Sequence, residues 1–182
     1  MAVNGKAKGN SFERDIAEKL SLWLTGQKEK RAAWRSDTSG GAATIWSKRK
    51  QEERYVKANA GDIRQIMEKG IYPSLDSFFD NFVVECKAYR DVVFYPPFNK
   101  TLQSFFIACI KEKQITHKHP VLILKANNKK PLFCIEPNDI FTPKTNKLMT
   151  LYYDTLSLDV YLLEDVISSN EHDFNRTKTQ EL

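Results

Sequence analysis

The sequence predicts an α/β domain in which helices pack on a mixed β-sheet, because helical and extended patterns alternate along the chain. Apolar residues recur at the spacing of a helix face in two segments, residues 10–24 and 100–114. A short run rich in apolar and β-branched residues, 82–88, lies between them, and two further runs follow at 121–124 and 132–135. Runs of this length and composition are typical of buried strands.

The first predicted helix begins at Asn10 and ends at Leu24. Asn10 is a good N-cap residue, and Glu13 follows it at the spacing of a capping box. Glu13 therefore has two interpretations. It closes the start of the helix, or it points from the edge of the apolar stripe into a site beside the sheet. Residues 1–9 are expected to form a flexible basic arm.

The run at 82–88 is the predicted central strand, and it carries two charged residues among apolar ones. Since side chains alternate between the faces of a strand, Glu85 and Lys87 project from the same face. Charged side chains are rarely buried without a partner. The pair is either a salt bridge of structural importance or a metal ligand beside a lysine that handles water or phosphate.

The segment between the first helix and the central strand is less regular. Residues 32–36 are a candidate strand, and 37–41 contain two glycines and small hydroxyl residues, as in a tight loop. The charged stretch 42–59 is either a helix or a mobile loop. A second ordered segment begins at 60–63, where Asp62 follows a glycine, and 68–81 is predicted to be a long connection.

The C-terminal half is predicted to add strands to the sheet. A polar turn joins 121–124 to 132–135, which favours an antiparallel pair. The apolar segments 149–153 and 158–163 either add edge structure or complete the core. We expect a single domain over residues 1–169, followed by a polar and flexible tail at 170–182.

The basic residues are unevenly distributed. Residues 1–60 hold thirteen Lys and Arg against seven Asp and Glu, a net charge of +6, whereas residues 61–182 hold fifteen against sixteen, a net charge of −1. A one-sided basic region is typical of proteins that bind a polyanion such as nucleic acid.

Three cysteines lie in apolar stretches without the Cys-x-x-Cys spacing of a zinc site. There is no apolar run of the length of a membrane span, and the N-terminus lacks the apolar segment of a signal peptide. These features predict buried free thiols and a cytoplasmic protein.

Four features occur together in the order found in a known group of nucleases. They are Glu13 in the first helix, Gly61-Asp62-Ile63, Val84-Glu85-Cys86-Lys87, and a helix that carries Gln103. With Arg35 to Gly41, this pattern resembles the PD-(D/E)xK nuclease superfamily, most closely the archaeal and phage Holliday-junction resolvases. Gly61 stands where that family usually has proline, and the insertions at 42–59 and 68–81 are longer than in a minimal resolvase.

The resemblance implies a restriction-endonuclease-like fold, a location in the cytoplasm of a bacterial, archaeal or phage-infected cell, and the roles of individual residues. Asp62, Glu85 and the backbone carbonyl of Cys86 would ligate Mg²⁺, for which Mn²⁺ would substitute, and Lys87 would orient or activate the attacking water. Glu13 would hold a second ion or a water on the metal. Ser39 would contribute to activity, and Gln103 would fix Lys87 or a phosphate.

The basic residues of the N-terminal region are the predicted DNA contacts: Lys6, Lys8, Arg35, Lys48, Arg49, Lys50, Arg54 and Lys57.

The leading hypothesis is a Mg²⁺-dependent DNA endonuclease that acts as a homodimer on four-way junctions. A restriction- or repair-type nuclease acting on linear duplex is the alternative enzyme. A DNA-binding module without catalysis would be expected to lack an acid or the lysine, and all four positions are filled here.

Overall fold

The structure is a computed structural model that describes residues 5–36, 60–90, 92, 94 and 100–169, with the backbone alone described at 5–8. In chain order, the elements of the described part are α1 (Gly5–Leu24), β1 (Ala33–Arg35), β2 (Ile63–Gln65), α2 (Pro73–Asn81), β3 (Phe82–Tyr89), α3 (Lys100–Thr116), β4 (His119–Ala126), β5 (Leu132–Ile135), β6 (Met149–Tyr153), β7 (Leu156–Leu162) and α4 (Leu163–Ser168).

The strands form one seven-stranded sheet in the order β1-β2-β3-β4-β5-β7-β6. The β3–β4 pair is parallel and the other pairs are antiparallel. A parallel pair needs a crossover connection, and here α3 lies between its two strands in the chain. The predicted α/β class with a mixed sheet is confirmed, and the arrangement is consistent with a restriction-endonuclease-like core.

The sheet has a core on each face, and its central strands alternate between them. Val121 and Ile123 of β4 pack in the cluster that holds buried residues of α1, α2 and α4. Leu122 and Leu124 pack in the cluster formed with α3. This alternation follows from the two-residue period of a strand, and it places Glu85 and Lys87 on the α3 side, opposite Leu122 and Leu124 in the register.

The first helix begins five residues earlier than predicted, at Gly5 instead of Asn10. The expected N-cap and capping box are therefore wrong, because Asn10 and Glu13 lie inside the helix. Residues 5–9, which were predicted to belong to a flexible arm, form its first turns. Lysine and alanine, which favour helix, occupy three of these five positions.

A buried serine fixes the first strand to the first helix. The Ser21 hydroxyl donates to the Ala17 carbonyl at 2.7 Å and accepts from the Ala33 backbone N–H at 2.9 Å. The latter bond satisfies a backbone donor at the start of β1, in a region that water does not reach. The strand is thereby held in the position from which Arg35 and Ser36 extend toward the neighbouring strands.

The prediction of a long connection at 68–81 is wrong, because the segment contains helix α2. Pro73 lies in its first turn, where the missing N–H costs nothing. Leu75, Phe78 and Phe79 are buried at helical spacing. The helix ends at Asn81, and β3 follows directly, so α2 sets the position at which the central strand begins.

The C-terminal strands have different roles. β7 lies between β5 and β6, and Leu158 and Val160 are fully buried, so this segment completes the core of the monomer. β6 is the edge strand. Within the described part of the chain, no helix is long and apolar enough to cross a membrane.

The buried face of α2 predicts a large loss of stability on truncation of Phe78. Its ring is fully buried and lies 5.2 Å from Phe82 and 5.9 Å from Trp23, between ring centroids. We expect Phe78→Ala to lower the free energy of unfolding by about 3–5 kcal/mol, measured by denaturant unfolding. Ile107→Ala, on the exposed side of α3, is the control and should change it by less than about 0.5 kcal/mol. Equal effects would show that α2 is not part of the core.

Candidate active site

Asp62 is held by backbone hydrogen bonds on both sides. Its N–H donates to the Val84 carbonyl at 2.7 Å, and its own carbonyl accepts from the Ser36 N–H at 2.8 Å. The residue therefore continues the pairing of β2 between β1 and β3, one position before β2 begins. Asp62 is only 8% exposed, so the backbone of two strands fixes a nearly buried carboxylate in place.

Gly61 has a conformation that few other residues could adopt. Its φ is +80°, and a Cβ at this position would lie 2.9 Å from the Val84 carbonyl oxygen. Proline is restricted to a φ near −65°, so the proline that resolvases usually have before the aspartate does not fit this backbone. The glycine at 61 thus allows the close approach of the Asp62 turn to β3.

Glu85 and Lys87 project from one face of β3 and meet Asp62 there. The Lys87 Nζ donates to Glu85 Oε2 at 2.6 Å and to Asp62 Oδ2 at 3.4 Å. Asp62 Oδ2 also accepts from the Cys86 backbone N–H at 2.8 Å. The structure therefore brings together the three side chains that the sequence analysis singled out, although 23 positions separate Asp62 from Glu85 in the chain.

The charges in this cluster do not balance. Two nearly buried carboxylates, of Asp62 and Glu85, face one ammonium group. Burying an uncompensated charge is costly. The folded protein reduces this cost because Glu85 binds a proton more readily than an exposed carboxylate does. Burial, together with the negative charge of Asp62, raises the pKa of Glu85 from its ordinary 4.5 to about 8, although Lys87 acts in the opposite direction.

Lys87 remains charged in the cluster. Burial alone would lower its pKa, but the charges of Glu85 and Asp62 outweigh this effect, and the pKa is raised above its ordinary value. A lysine with a raised pKa is a poor general base at neutral pH. Its ammonium can donate hydrogen bonds to a water or to a phosphate oxygen, so the geometry favours an orienting role over proton abstraction.

Glu112 of α3 is a further carboxylate at the site that the sequence analysis missed. Its Oε2 is buried and has no hydrogen-bond partner among the residues that the structure describes. Burial and the charge of Asp62 raise its pKa, whereas the Gly61 backbone N–H lowers it. The signal in the sequence was a charged residue in an apolar helix stripe, since Phe105, Cys109, Glu112 and Thr116 follow one another at helical spacing.

Glu13 lies on the α1 side of the sheet, close enough to Cys86 for its charge to help raise the pKa of that buried thiol. Arg35 holds the Glu13 carboxylate through an Nε–Oε2 contact of 3.0 Å, and its Nη2 donates to Asn10 Oδ1 at 3.1 Å. Both charged side chains are mostly buried. Arg35, a predicted DNA contact, thus has a direct part in orienting Glu13.

The other predicted site residues are placed less closely. Gln103 lies in the first turn of α3, and Lys6 and Lys8 lie in the first turns of α1, where only the backbone is described. The following residues lie outside the described part of the chain: Ser39, Lys48, Arg49, Lys50, Arg54 and Lys57.

The donor set fits a hard divalent cation. Among the described residues, no group of three or more His, Cys, Asp or Glu side chains is arranged to hold a metal ion. Mg²⁺ does not require such a group, because it keeps several waters and uses one or two carboxylates. Two adjacent carboxylates that share one lysine meet that requirement.

Comparison with known proteins supports the assignment of this chain to a nuclease family. A family model described as "Phage putative PDDEXK endonuclease" matches residues 4–180 of the chain. No curated protein and no solved structure matches the sequence.

The raised pKa of Glu85 predicts how stability depends on pH in a chelating buffer. Between about pH 4.5 and about pH 8, the folded protein keeps a proton that the unfolded chain releases. The free energy of unfolding should therefore fall as the pH rises through this window. Urea unfolding at a series of pH values should show this fall, and Glu85→Gln should remove most of it.

The control for this experiment is Glu164→Gln, which changes an exposed carboxylate and should keep the pH dependence of the wild-type protein. If Glu85→Gln and the wild-type protein had the same slope of stability against pH, Glu85 would not hold the proton.

Proposed function

We propose that this protein is a metal-dependent endonuclease that hydrolyses phosphodiester bonds of DNA. The chain belongs to the "Phage putative PDDEXK endonuclease" family, and the proposal starts from that membership. The observation that carries the proposal is the charge imbalance of the site. Asp62 and Glu85 share one lysine in a nearly buried position, and a structural ion pair would have no need of the second carboxylate.

Asp62, Glu85 and the backbone carbonyl of Cys86 are the proposed ligands of Mg²⁺, with Mn²⁺ as a substitute. When bound, the cation would neutralise charge on the phosphate and lower the pKa of a water. The bond from the Cys86 N–H fixes the Asp62 carboxylate, and neighbouring strands fix its backbone. This preorganisation is what an in-line displacement requires of its surroundings.

Lys87 is proposed to orient the attacking water and to stabilise charge on the phosphoryl oxygens through its ammonium group. Its position on the same strand face as Glu85 supports this role. Glu13, held by Arg35, is proposed to position a further water or ion from the α1 side. Ser39 and Gln103 keep the roles that the resemblance to resolvases implies, in activity and in fixing Lys87 or a phosphate.

The DNA contacts are proposed to come from the N-terminal region, where residues 1–60 carry a net charge of +6. Binding through phosphates depends on salt and not on sequence. The proposed substrate is branched DNA, in particular a four-way junction, by resemblance to the resolvases. A linear duplex is the competing substrate.

A symmetric homodimer is proposed because two strands of a junction must be cut about a two-fold axis, which requires two matching active sites. The edge strand β6 supports this arrangement. Leu148, directly before the strand, and Met149 and Tyr152 within it are exposed, and Tyr152 is 72% exposed. Exposed apolar residues on an edge strand favour association with another chain.

We expect Asp62→Asn to abolish Mg²⁺-dependent cleavage while DNA binding is retained. The substitution removes a ligand charge but leaves the basic region unchanged. The assay measures cleavage and binding of the same labelled DNA. Asp154→Asn is the matched control, because Asp154 has a positive φ in the β6–β7 turn that asparagine also adopts. Near-normal cleavage by Asp62→Asn would refute the proposed site.

We expect the wild-type protein to cut a four-way junction faster than a linear duplex of the same sequence, with paired nicks on opposed strands. Light scattering should give twice the chain mass of 21.1 kDa. A monomer that cuts the linear duplex equally well would instead support a restriction- or repair-type nuclease.

A further inference from the structure

A groove of about 560 Å³ lies where β2, the end of α2 and the end of α3 meet. Its lining contains three cationic side chains and one carboxylate among the described residues, together with apolar residues of the sheet. The charged members are Arg64, Lys69, Asp80 and Lys118. None of them belongs to the basic N-terminal region, so the groove is a separate cationic feature of the fold.

Lys118 is less compensated than Lys69, which forms an ion pair with Asp80. Its Nζ donates to the Phe79 backbone carbonyl at 2.5 Å, but no carboxylate within the described ranges lies at ion-pair distance from it. Burial lowers its pKa, and Lys69 adds to this effect while Asp80 opposes it. A partly buried ammonium whose charge is disfavoured in this way would be stabilised by an anion that enters the groove.

Lys69 lies beside Lys118 in a turn that is fixed by hydrogen bonds. Asp76 accepts from the Gly70 N–H at 2.7 Å and from the Gln65 side chain at 2.6 Å, which ties this turn to β2 and α2. The Lys69–Asp80 ion pair is exposed on both sides. Exposed pairs contribute little to stability, so Lys69 can exchange Asp80 for another anion at small cost.

The groove adjoins the candidate active site. Val83 lines the groove and shares a strand face with Glu85 two residues further on, which corresponds to about 7 Å along the strand. Ala60 lines it as well and precedes the Gly61–Asp62 turn. The groove lining thus comes within two residues of Glu85 on β3 and of Asp62 on the preceding turn, so a phosphate bound there would lie next to the candidate active site.

We propose that this groove binds a backbone phosphate of the nucleic-acid strand that is being cut, close to the phosphate at the active site, with Lys118 and Lys69 as its contacts. The proposal rests on the nuclease function proposed above. It places a DNA contact outside the basic N-terminal region, on two connections at the end of the sheet that lie next to the chemistry.

The test compares two double variants that remove the same charge. Lys69→Gln with Lys118→Gln changes the groove, and Lys130→Gln with Lys147→Gln changes lysines outside it. Lys69 and Lys130 are closely matched, since each forms an exposed ion pair. The side chains of Lys69 and Asp80 are 65% and 52% exposed, and those of Lys130 and Glu164 are 64% and 53% exposed. Binding of a labelled duplex is measured in Ca²⁺ buffer over a range of salt concentrations.

The groove variant should bind DNA more weakly. The slope of its log affinity against log salt should become less steep, by roughly one unit per lysine removed. The control variant should keep the wild-type slope. Equal slopes for the two double variants would overturn the proposal. Thermal unfolding reports whether the loss of Lys118 impairs folding. If it does, the single variant Lys69→Gln, at an exposed position, is compared with Lys130→Gln in the same way.

Cleavage of the same duplex and of a four-way junction by the wild-type protein in Mg²⁺ is measured in parallel. If neither DNA is cut, the proposed nuclease function fails, whatever the salt slopes show. If cleavage occurs but the groove variant has the wild-type slope, the groove proposal alone fails.

Discussion

The sharing of one ammonium group by two nearly buried carboxylates is the interaction on which the site depends. Lys87 contacts both Glu85 and Asp62, and no second cation is brought to the cluster by the described residues. A buried ion pair seldom adds to stability even when its charges balance. Here they do not balance, and the folded protein bears the cost by raising the affinity of Glu85 for a proton.

A series of hydrogen bonds in the surrounding fold holds Asp62 in this unfavourable arrangement. Ser21 fixes β1 to the first helix, Ser36 at the end of β1 donates to the backbone of Asp62, and Asp62 donates to Val84 on the central strand. Gly61 lets that chain approach β3 closely. Each of these contacts is made by backbone or by a small hydroxyl group, so the position of the Asp62 backbone does not depend on flexible side chains.

The features that the sequence predicted correctly are those with a local signal. The two-residue period of the central strand placed Glu85 and Lys87 on one face, and the apolar stripe located α3. The start of α1 was predicted wrongly because Asn10 has the chemistry of a cap but is used by Arg35 in the folded protein. Helix α2 was missed since its proline and acidic residues resemble a loop, although Phe78 and Phe79 mark a buried face.

The remaining features depend on contacts between distant segments, which a single sequence does not reveal. Glu112 joins the site only because α3 packs beside the Gly61 turn. The cationic groove arises where Lys69 and Lys118, from separate connections, meet at the ends of two helices. The resemblance to resolvases supplied the roles of the acids, whereas the charge imbalance that supports a metal is a property of the three-dimensional arrangement.

The central claim is that this imbalance serves a divalent cation, and a crystal structure with Mn²⁺ would test it most directly. Anomalous scattering locates Mn²⁺ without reference to activity. We expect a peak within about 2.1 Å of carboxylate oxygens of Asp62 and Glu85, with Lys87 Nζ no longer on the Glu85 oxygen that it contacts here. A well-ordered site without a peak at saturating Mn²⁺, with the Lys87–Glu85 contact intact, would contradict the account.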